Sequence, residues 1–409
     1  MTPIALAIVG LVVLVAMILV RVPVAVALGL VGCAGYAALD GWTRAGLILG
    51  TAPIELAQAY TFSVVPLFTL MGAVAAVSGL SSDLFRAANA VMRGTRGSLS
   101  VAAIFASGLF GAICGSSVAT ALTMTKVSIP EMIRGGYSPA IAAGTVAAGG
   151  TLGILIPPSL ILMIYAIIAQ LSVAQLFAAA LLPGIFLMFF YAAIALLLGR
   201  RNTPADRQPP APPLLSSLGR ICHVVLLFSV TIGGIYAAWS TPTEATAVGA
   251  LGAILLALLT RRAGVSTLAA TALDTVRLVS SVIFIVMAST IFSYFIVQTG
   301  LSNVVSEEMV QAGFGPVGII VLLCAIYIVM GCFLEGIAMI LITVPIVLPL
   351  ILSFGHDPVW FGVLLVILIE IGLITPPLGM NLFVIRAVSP ELKVTDIYLG
   401  ALPFLAAPL

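Results

Sequence analysis

Two hydrophobic runs of this chain, one in each half, are interrupted by a double proline in matching context: Gly153-Ile-Leu-Ile-Pro-Pro-Ser159 and Gly372-Leu-Ile-Thr-Pro-Pro-Leu378. A proline removes a backbone donor and clashes with the preceding turn. Two in succession therefore unwind a helix and free carbonyls that hydrocarbon cannot satisfy. Such a break requires a polar cavity, an ion or a substrate beside it. Interrupted helices at corresponding places in two halves are the sequence mark of a binding site in a membrane carrier.

The composition agrees. Hydrophobic residues make up 62% of 409 and charged residues 7%, whereas about a quarter of a soluble domain is charged. Apolar runs near residues 4–20, 22–39, 62–78, 141–170, 174–198, 221–239, 245–259, 278–297 and 359–388 each approach the roughly 20 residues that span a bilayer. The first run has no Lys or Arg ahead of it and Arg21 behind it, which predicts an uncleaved helix entering from outside. The expected location is a membrane, crossed several times. The net charge of +2 resides in arginines at helix ends and points to no nucleic-acid partner. The five cysteines form no CxxC pair and read as small buried hydrophobes. Both lysines, Lys126 and Lys393, precede valine, so no Gly-Lys-Ser/Thr phosphate loop exists. Residues 200–220 carry Pro204, Pro209, Pro210, Pro212 and Pro213 and read as a cytoplasmic linker too short for a receptor domain.

Charge bias exposes an inverted repeat. With Arg200, Arg201, Arg207 and Arg220 placed inside, Arg261 and Arg262 return to the same face. So do Arg86, Arg93, Arg96, Lys126 and Arg134, provided residues 98–130 enter and leave from one side. That segment predicts a re-entrant hairpin with its tip at Gly115-Ser116-Ser117. A second hairpin is expected over 315–354 with its tip near Gly331-Cys-Phe-Leu-Glu-Gly336, approached through a loop holding Glu307 and Glu308. No Lys or Arg occurs between Arg277 and Arg386. Each half thus reads as helices, hairpin and broken helix, in opposite orientations. The expected fold is an all-α polytopic membrane protein with two re-entrant helical hairpins and two broken helices. Glu335 and Glu370 need partners or a wet cavity at membrane depth; Glu335 lies at the second tip. Glu370 is expected to orient backbone or to contact the other hairpin. Glu244 in Thr241-Pro-Thr-Glu-Ala245 is expected to cap a helix.

The same residues carry a family resemblance. Leu109-Phe-Gly-Ala-Ile-Cys-Gly-Ser-Ser-Val-Ala-Thr120, Ile129-Pro-Glu-Met132, Gly136-Tyr137 and Ala147-Ala-Gly-Gly-Thr-Leu-Gly-Ile-Leu-Ile-Pro-Pro-Ser159 resemble the large membrane subunit of tripartite ATP-independent periplasmic (TRAP) transporters. In the second half the resemblance continues in Thr241-Pro-Thr-Glu-Ala245, Gly331-Cys-Phe-Leu-Glu335 with Thr343-Val-Pro345 and Pro349, and Glu370-Ile-Gly-Leu-Ile-Thr-Pro-Pro-Leu-Gly-Met-Asn-Leu-Phe383. The resemblance implies an elevator-type carrier driven by a sodium gradient. Its partners would be a small four-helix membrane subunit and a periplasmic solute-binding protein that delivers an organic acid. Family members carry a further complete apolar helix, so the last helix, within 389–409, is expected to be truncated. The implied organisation is scaffold helices over 1–80, a first transport half over 81–172, central helices with the linker over 173–297, and a second transport half over 298–388.

Sodium (Na+) as coupling ion suits the residues, since a hard cation takes oxygen ligands from unwound backbone and hydroxyls. Gly115, Ser116 and Ser117 with carbonyls around Gly150 to Pro157 are expected to form one ion site; Gly331 and Glu335 with Thr375, Pro376 and Gly379 form the other. Helix N-termini after the breaks suit a substrate carboxylate, which makes Ser117, Pro158, Ser159, Pro377 and Asn381 the expected substrate contacts. A stand-alone sodium-coupled carboxylate symporter of similar architecture remains the alternative. An intramembrane serine hydrolase at Ser116 or Ser117 would need a base. The only histidines, His223 and His356, are not expected near that tip.

Overall fold

The computed structural model describes residues 2–92, 97–202, 219, 221–222, 225–237, 239–376 and 379–409. Among them every regular element is helical. In chain order these are α1 (Pro3–Leu19), α2 (Val24–Asp40), α3 (Trp42–Gln58), α4 (Val64–Val77), α5 (Leu80–Val91), α6 (Ser98–Cys114), α7 (Ser117–Arg134), α8 (Pro139–Leu155), α9 (Leu160–Ile168) and α10 (Val173–Asn202). They continue as α11 (Val225–Tyr236), α12 (Pro242–Leu259), α13 (Val265–Thr299), α14 (Leu301–Gln311), α15 (Pro316–Gly331), α16 (Gly336–Ser353), α17 (Pro358–Ile374), α18 (Met380–Val388) and α19 (Val394–Ala401). Five helices among the described residues are long and apolar enough to cross a membrane, or up to seven if each of two bent pairs is one span. The chain is a multi-pass membrane protein.

Local chemistry sets the helix starts. Ser138 accepts from the Ile141 N–H and Asp357 from the Trp360 N–H, at 3.3 and 2.8 Å, each ahead of a proline at the first helical position, which needs no donor there. Thr241 and Glu244 form a reciprocal capping box, the role expected of Glu244.

The repeat is visible in backbone geometry. In the first half α4 turns into α5 at Gly79 (φ 70°, ψ 19°), bending the pair by 67°. In the second, α13 turns into α14 at Gly300 (φ 69°, ψ 14°). A left-handed residue at both corners favours glycine. Each corner leads to a hairpin, α6/α7 or α15/α16, then to a broken helix, α8/α9 or α17/α18. The first arm of each hairpin lies on the following broken helix, backbone against backbone. A Cβ on Gly111 would stand 2.5 Å from Gly153 Cα, and one on Gly372 would stand 2.6 Å from the Gly331 carbonyl carbon. Small residues allow that approach without lost packing. Gly79 and Gly300, Gly111 and Gly331, Gly153 and Gly372, and Pro157 and Pro376 share an offset of about 220 residues, the mark of an internal repeat.

Around these elements α13 packs along α2, α4 and α16, and Ser289 on it donates to the Leu341 carbonyl at 2.7 Å. Arg262, after α12, pairs with the buried Asp83 and donates to the Ser78 carbonyl at the α4/α5 corner.

The helices extend beyond the apolar runs read from the sequence. Residues 42–58, which lack a sustained apolar run, form α3. The expected loop holding Glu307 and Glu308 is the helix α14. The run beginning at 278 extends back to Val265, because Ala, Thr and Leu continue the helix with no breaker. The end of the chain is packed. α19 continues into a 3-10 turn at Leu402–Ala406, Gly400 lies against Gly144 of α8, and the fully buried Phe404 meets Tyr191 edge-on at 5.8 Å. Most of the expected linker over 200–220 lies outside the described residues.

Gly372→Ala should cost about 1–3 kcal/mol by forcing two backbones apart. Gly46→Ala, with nothing within 4 Å of the new carbon, should be neutral or stabilising by about 0.4–1 kcal/mol. Thermal unfolding in detergent distinguishes them.

Candidate functional site

The first tip is built on backbone contacts. α6 ends at Gly115, which is left-handed (φ 65°). Ser116 is extended and caps α7 by accepting from the Ala119 N–H at 3.4 Å. The unwound stretch between α8 and α9, residues 156–159, contains a cis Pro157–Pro158 bond and runs directly beside this tip. The Leu160 N–H donates to the Gly115 carbonyl at 3.2 Å, and a Cβ on Gly115 would lie 2.8 Å from the Pro158 carbonyl oxygen. Gly115 is therefore required twice, for its φ and for this approach. Gly150 differs from expectation. It lies inside continuous α8, facing Ala121 and the Asn381 side chain, so the unwound carbonyls begin at Ile156.

The second tip is built on a carboxylate. Glu335 precedes α16, and its Oε2 accepts from the N–H groups of Ile337 and Ala338 at 3.1 and 3.3 Å, a cap reinforced by the positive end of the helix. α17 ends at Ile374, where the Thr375 hydroxyl donates to the Ile371 carbonyl. Pro376 starts the turn, and Gly379 (φ 43°) leaves it with a Cβ position 3.1 Å from the Thr375 carbonyl oxygen. Pro377 and Leu378 lie outside the described residues.

One cavity of about 50 Å³ joins the two tips. Gly115, Ser116, Ser117 and Val118 line one side, and Glu335, Gly336 and Ile337 the other. Ile154, Leu160 and Ile161 of the first broken helix and Leu373 of the second complete it. A single water occupies about 30 Å³ in the liquid, whereas sites for organic ligands are roughly 300–1,000 Å³. The volume suits a water molecule or small cation and is too small for an organic ligand.

Asn381 ties the halves together. Fully buried on α18, it exchanges hydrogen bonds with Ser117 of the first tip (2.8 and 3.0 Å) and donates to the Ala147 carbonyl at 3.2 Å. Ser159 caps α9 by accepting from the Leu162 N–H at 3.2 Å and is also fully buried. Of the expected substrate residues, Ser117 reaches the cavity and bonds to Asn381. Pro158 and Ser159 instead form the wall behind the first tip. Arg386 donates to the carbonyls of Pro390 and Leu392. His356 stacks on Trp360 and meets the Pro316 carbonyl at 3.0 Å, away from Ser116 and Ser117; His223 lies outside the described residues.

Two features escaped the sequence reading. The matched corners Ser78-Gly-Leu-Ser-Ser82 and Thr299-Gly-Leu-Ser-Asn303 were legible as a short repeat once the offset between the double prolines was applied. Thr151 and Tyr191, which share a hydrogen bond at 3.4 Å, had no local signal.

Asn381→Leu should cost about 1–3 kcal/mol, since it leaves the Ser117 hydroxyl buried without its partner. A Ser117→Ala/Asn381→Ala cycle should show a coupling of about 0.5–3 kcal/mol. Denaturation midpoints of the four proteins measure it.

Comparison with known proteins places residues 11–409 on the model of the family described as tripartite ATP-independent periplasmic transporter, DctM component. The chain is 34% identical to the C4-dicarboxylate TRAP transporter large permease protein of Pseudomonas aeruginosa, over 82% of this chain and 79% of that one. It is 30% identical to the corresponding C4-dicarboxylate permease of Vibrio cholerae, over 95% and 90%. It is also 30% identical to the sialic acid TRAP transporter large permease of the same organism, over 85% and 81%. In fold it is similar to the crystal structure of the Alcanivorax borkumensis YdaH transporter, with a TM-score of 0.61, 14% identity, and coverage of 90% and 86%.

Proposed function

The chain belongs to the DctM component family of tripartite ATP-independent periplasmic transporters, and from that premise we propose that it carries an organic acid across the bacterial inner membrane by a sodium-coupled elevator movement. The observation that supports this most is a small cavity lined by both hairpin tips and by residues of both broken helices. The two tips would clamp the ions. Gly115, Ser116 and Ser117 with the carbonyls of Ile156 and Pro157 supply oxygens at the first; Gly331, Glu335, Thr375, Pro376 and Gly379 do so at the second. The N-termini of α7, α9 and α18 surround the substrate carboxylate as the tips part.

The moving body in this reading comprises 81–172 and 298–388, and the remaining helices form the scaffold. Substrate class follows the relatives, whose names include C4-dicarboxylate and sialic acid carriers; the shared chemistry is the carboxylate. A solute-binding protein delivers it, and a small membrane subunit braces the scaffold. A relative from Oleidesulfovibrio alaskensis, an isethionate TRAP permease, is 28% identical across 96% of this chain, which covers only 62% of that protein. A longer partner-containing chain is consistent with the brace.

Sodium should raise the melting temperature of the purified protein, saturably and beyond any effect of potassium. A ligand at about 100 times its Kd contributes about 2.7 kcal/mol. Ser116→Ala/Thr375→Ala should lose most of that sodium-specific rise, beyond the loss of about 0.5–2 kcal/mol in either cation that removing the Ser116 cap brings. Equal responses to the two cations would contradict the ion sites.

A further inference from the structure

Glu370 takes no part in the ion and substrate reading above. It lies on α17 between Ile369 and Ile371 and is 0% exposed, and among the described residues neither carboxyl oxygen has a hydrogen-bond partner. The helices packed on α17 bring no counter-charge. α8, α9, α15, α16 and the turn Leu402–Ala406 contain no Asp, Glu, Lys, Arg or His, and α10 has none before Arg200. Arg386 of α18 is committed to the Pro390 and Leu392 carbonyls. The titratable groups on these helices are Tyr165, Tyr191, Cys324 and Tyr327. Tyr165 donates to the Pro358 carbonyl and Tyr327 to the Thr343 hydroxyl. Tyr191, fully buried on α10, accepts from Thr151.

Repeat symmetry sharpens the setting. Thr151 and Glu370 each stand two residues before the glycine that seats the hairpin arm, Gly153 or Gly372. The broken-helix arms α8 and α17 both pack on α10, and at this repeat position one carries a hydroxyl and the other a carboxyl. A carboxylate without a cation or donors is the costlier form in such surroundings, whereas the acid has an O–H to offer.

We propose that Glu370 is a proton-binding site, occupied while the two broken helices are packed on α10. The proton leaves only when the helices part and water enters: the O–H bond breaks, its electron pair stays on the carboxylate, and the proton passes to water. Transport therefore declines in alkaline medium as Glu370 ionises and the broken helices lose their packing. The assignment does not depend on sodium as coupling ion.

Infrared spectroscopy of the full chain with its small subunit in lipid tests this. Wild type should show the carbonyl-stretch band of a protonated carboxylic acid that exchanges slowly in heavy water, shifts with 13C-glutamate labelling, and is lost in Glu370→Gln. Glu335→Gln should retain the band. Because a neutral amide replaces a neutral acid, Glu370→Gln should keep the sodium-dependent rise in melting temperature and lose the alkaline decline in uptake. Labelled wild type without the band overturns the proposal even if the variant fails to fold. Persistence of the band in Glu370→Gln, loss of its sodium response, or an unchanged alkaline decline overturns it as well.

Discussion

A backbone that unwinds inside a membrane must find its hydrogen bonds within the protein. Here the hairpin tip supplies part of that requirement: the Leu160 N–H reaches the Gly115 carbonyl, and the Pro158 carbonyl lies against Gly115 at a distance that only glycine tolerates. The break and the tip are consequently one unit. Removing the tip would leave the Leu160 N–H without its acceptor; removing the break would leave Gly115 without a reason for its conformation.

The second half meets the same requirement with different groups. Glu335 caps α16 where Ser116 caps α7, so one tip presents a hydroxyl and the other a carboxylate. The common elements are geometric: left-handed glycines at Gly79 and Gly300 aim each hairpin, and glycine pairs seat each hairpin arm on its broken helix. Unlike chemistry on a like frame suits a carrier whose two repeated halves contribute different groups to a shared centre. Asn381 joins the halves across that centre through Ser117.

Much of this was legible in the residues because proline and glycine act on backbone locally. The double prolines located both breaks, and Gly115-Ser116-Ser117 and Glu335 located both tips. Arginine placement pointed to two halves of opposite orientation. What escaped depends on contacts between distant segments. Gly150 is adjacent in sequence to the break, yet its carbonyl belongs to a regular helix, because α8 unwinds only where the prolines compel it. α3 and α14 escaped because their polar residues interrupt the apolar pattern. The full burial of Glu370 arises from the packing of α17 against distant helices, α10 among them, which no local pattern encodes.

The central claim is that the two tips and two breaks form one binding centre. Its most direct test is a pair of cryo-electron microscopy maps of the protein with its small subunit, one in sodium and one in potassium. The account predicts density in the sodium map alone, bounded by Gly115–Ser117 and by Glu335 with Thr375. Identical maps at resolutions that resolve ions, or sodium-dependent density confined to the scaffold around α1, α2 and α13, would contradict it.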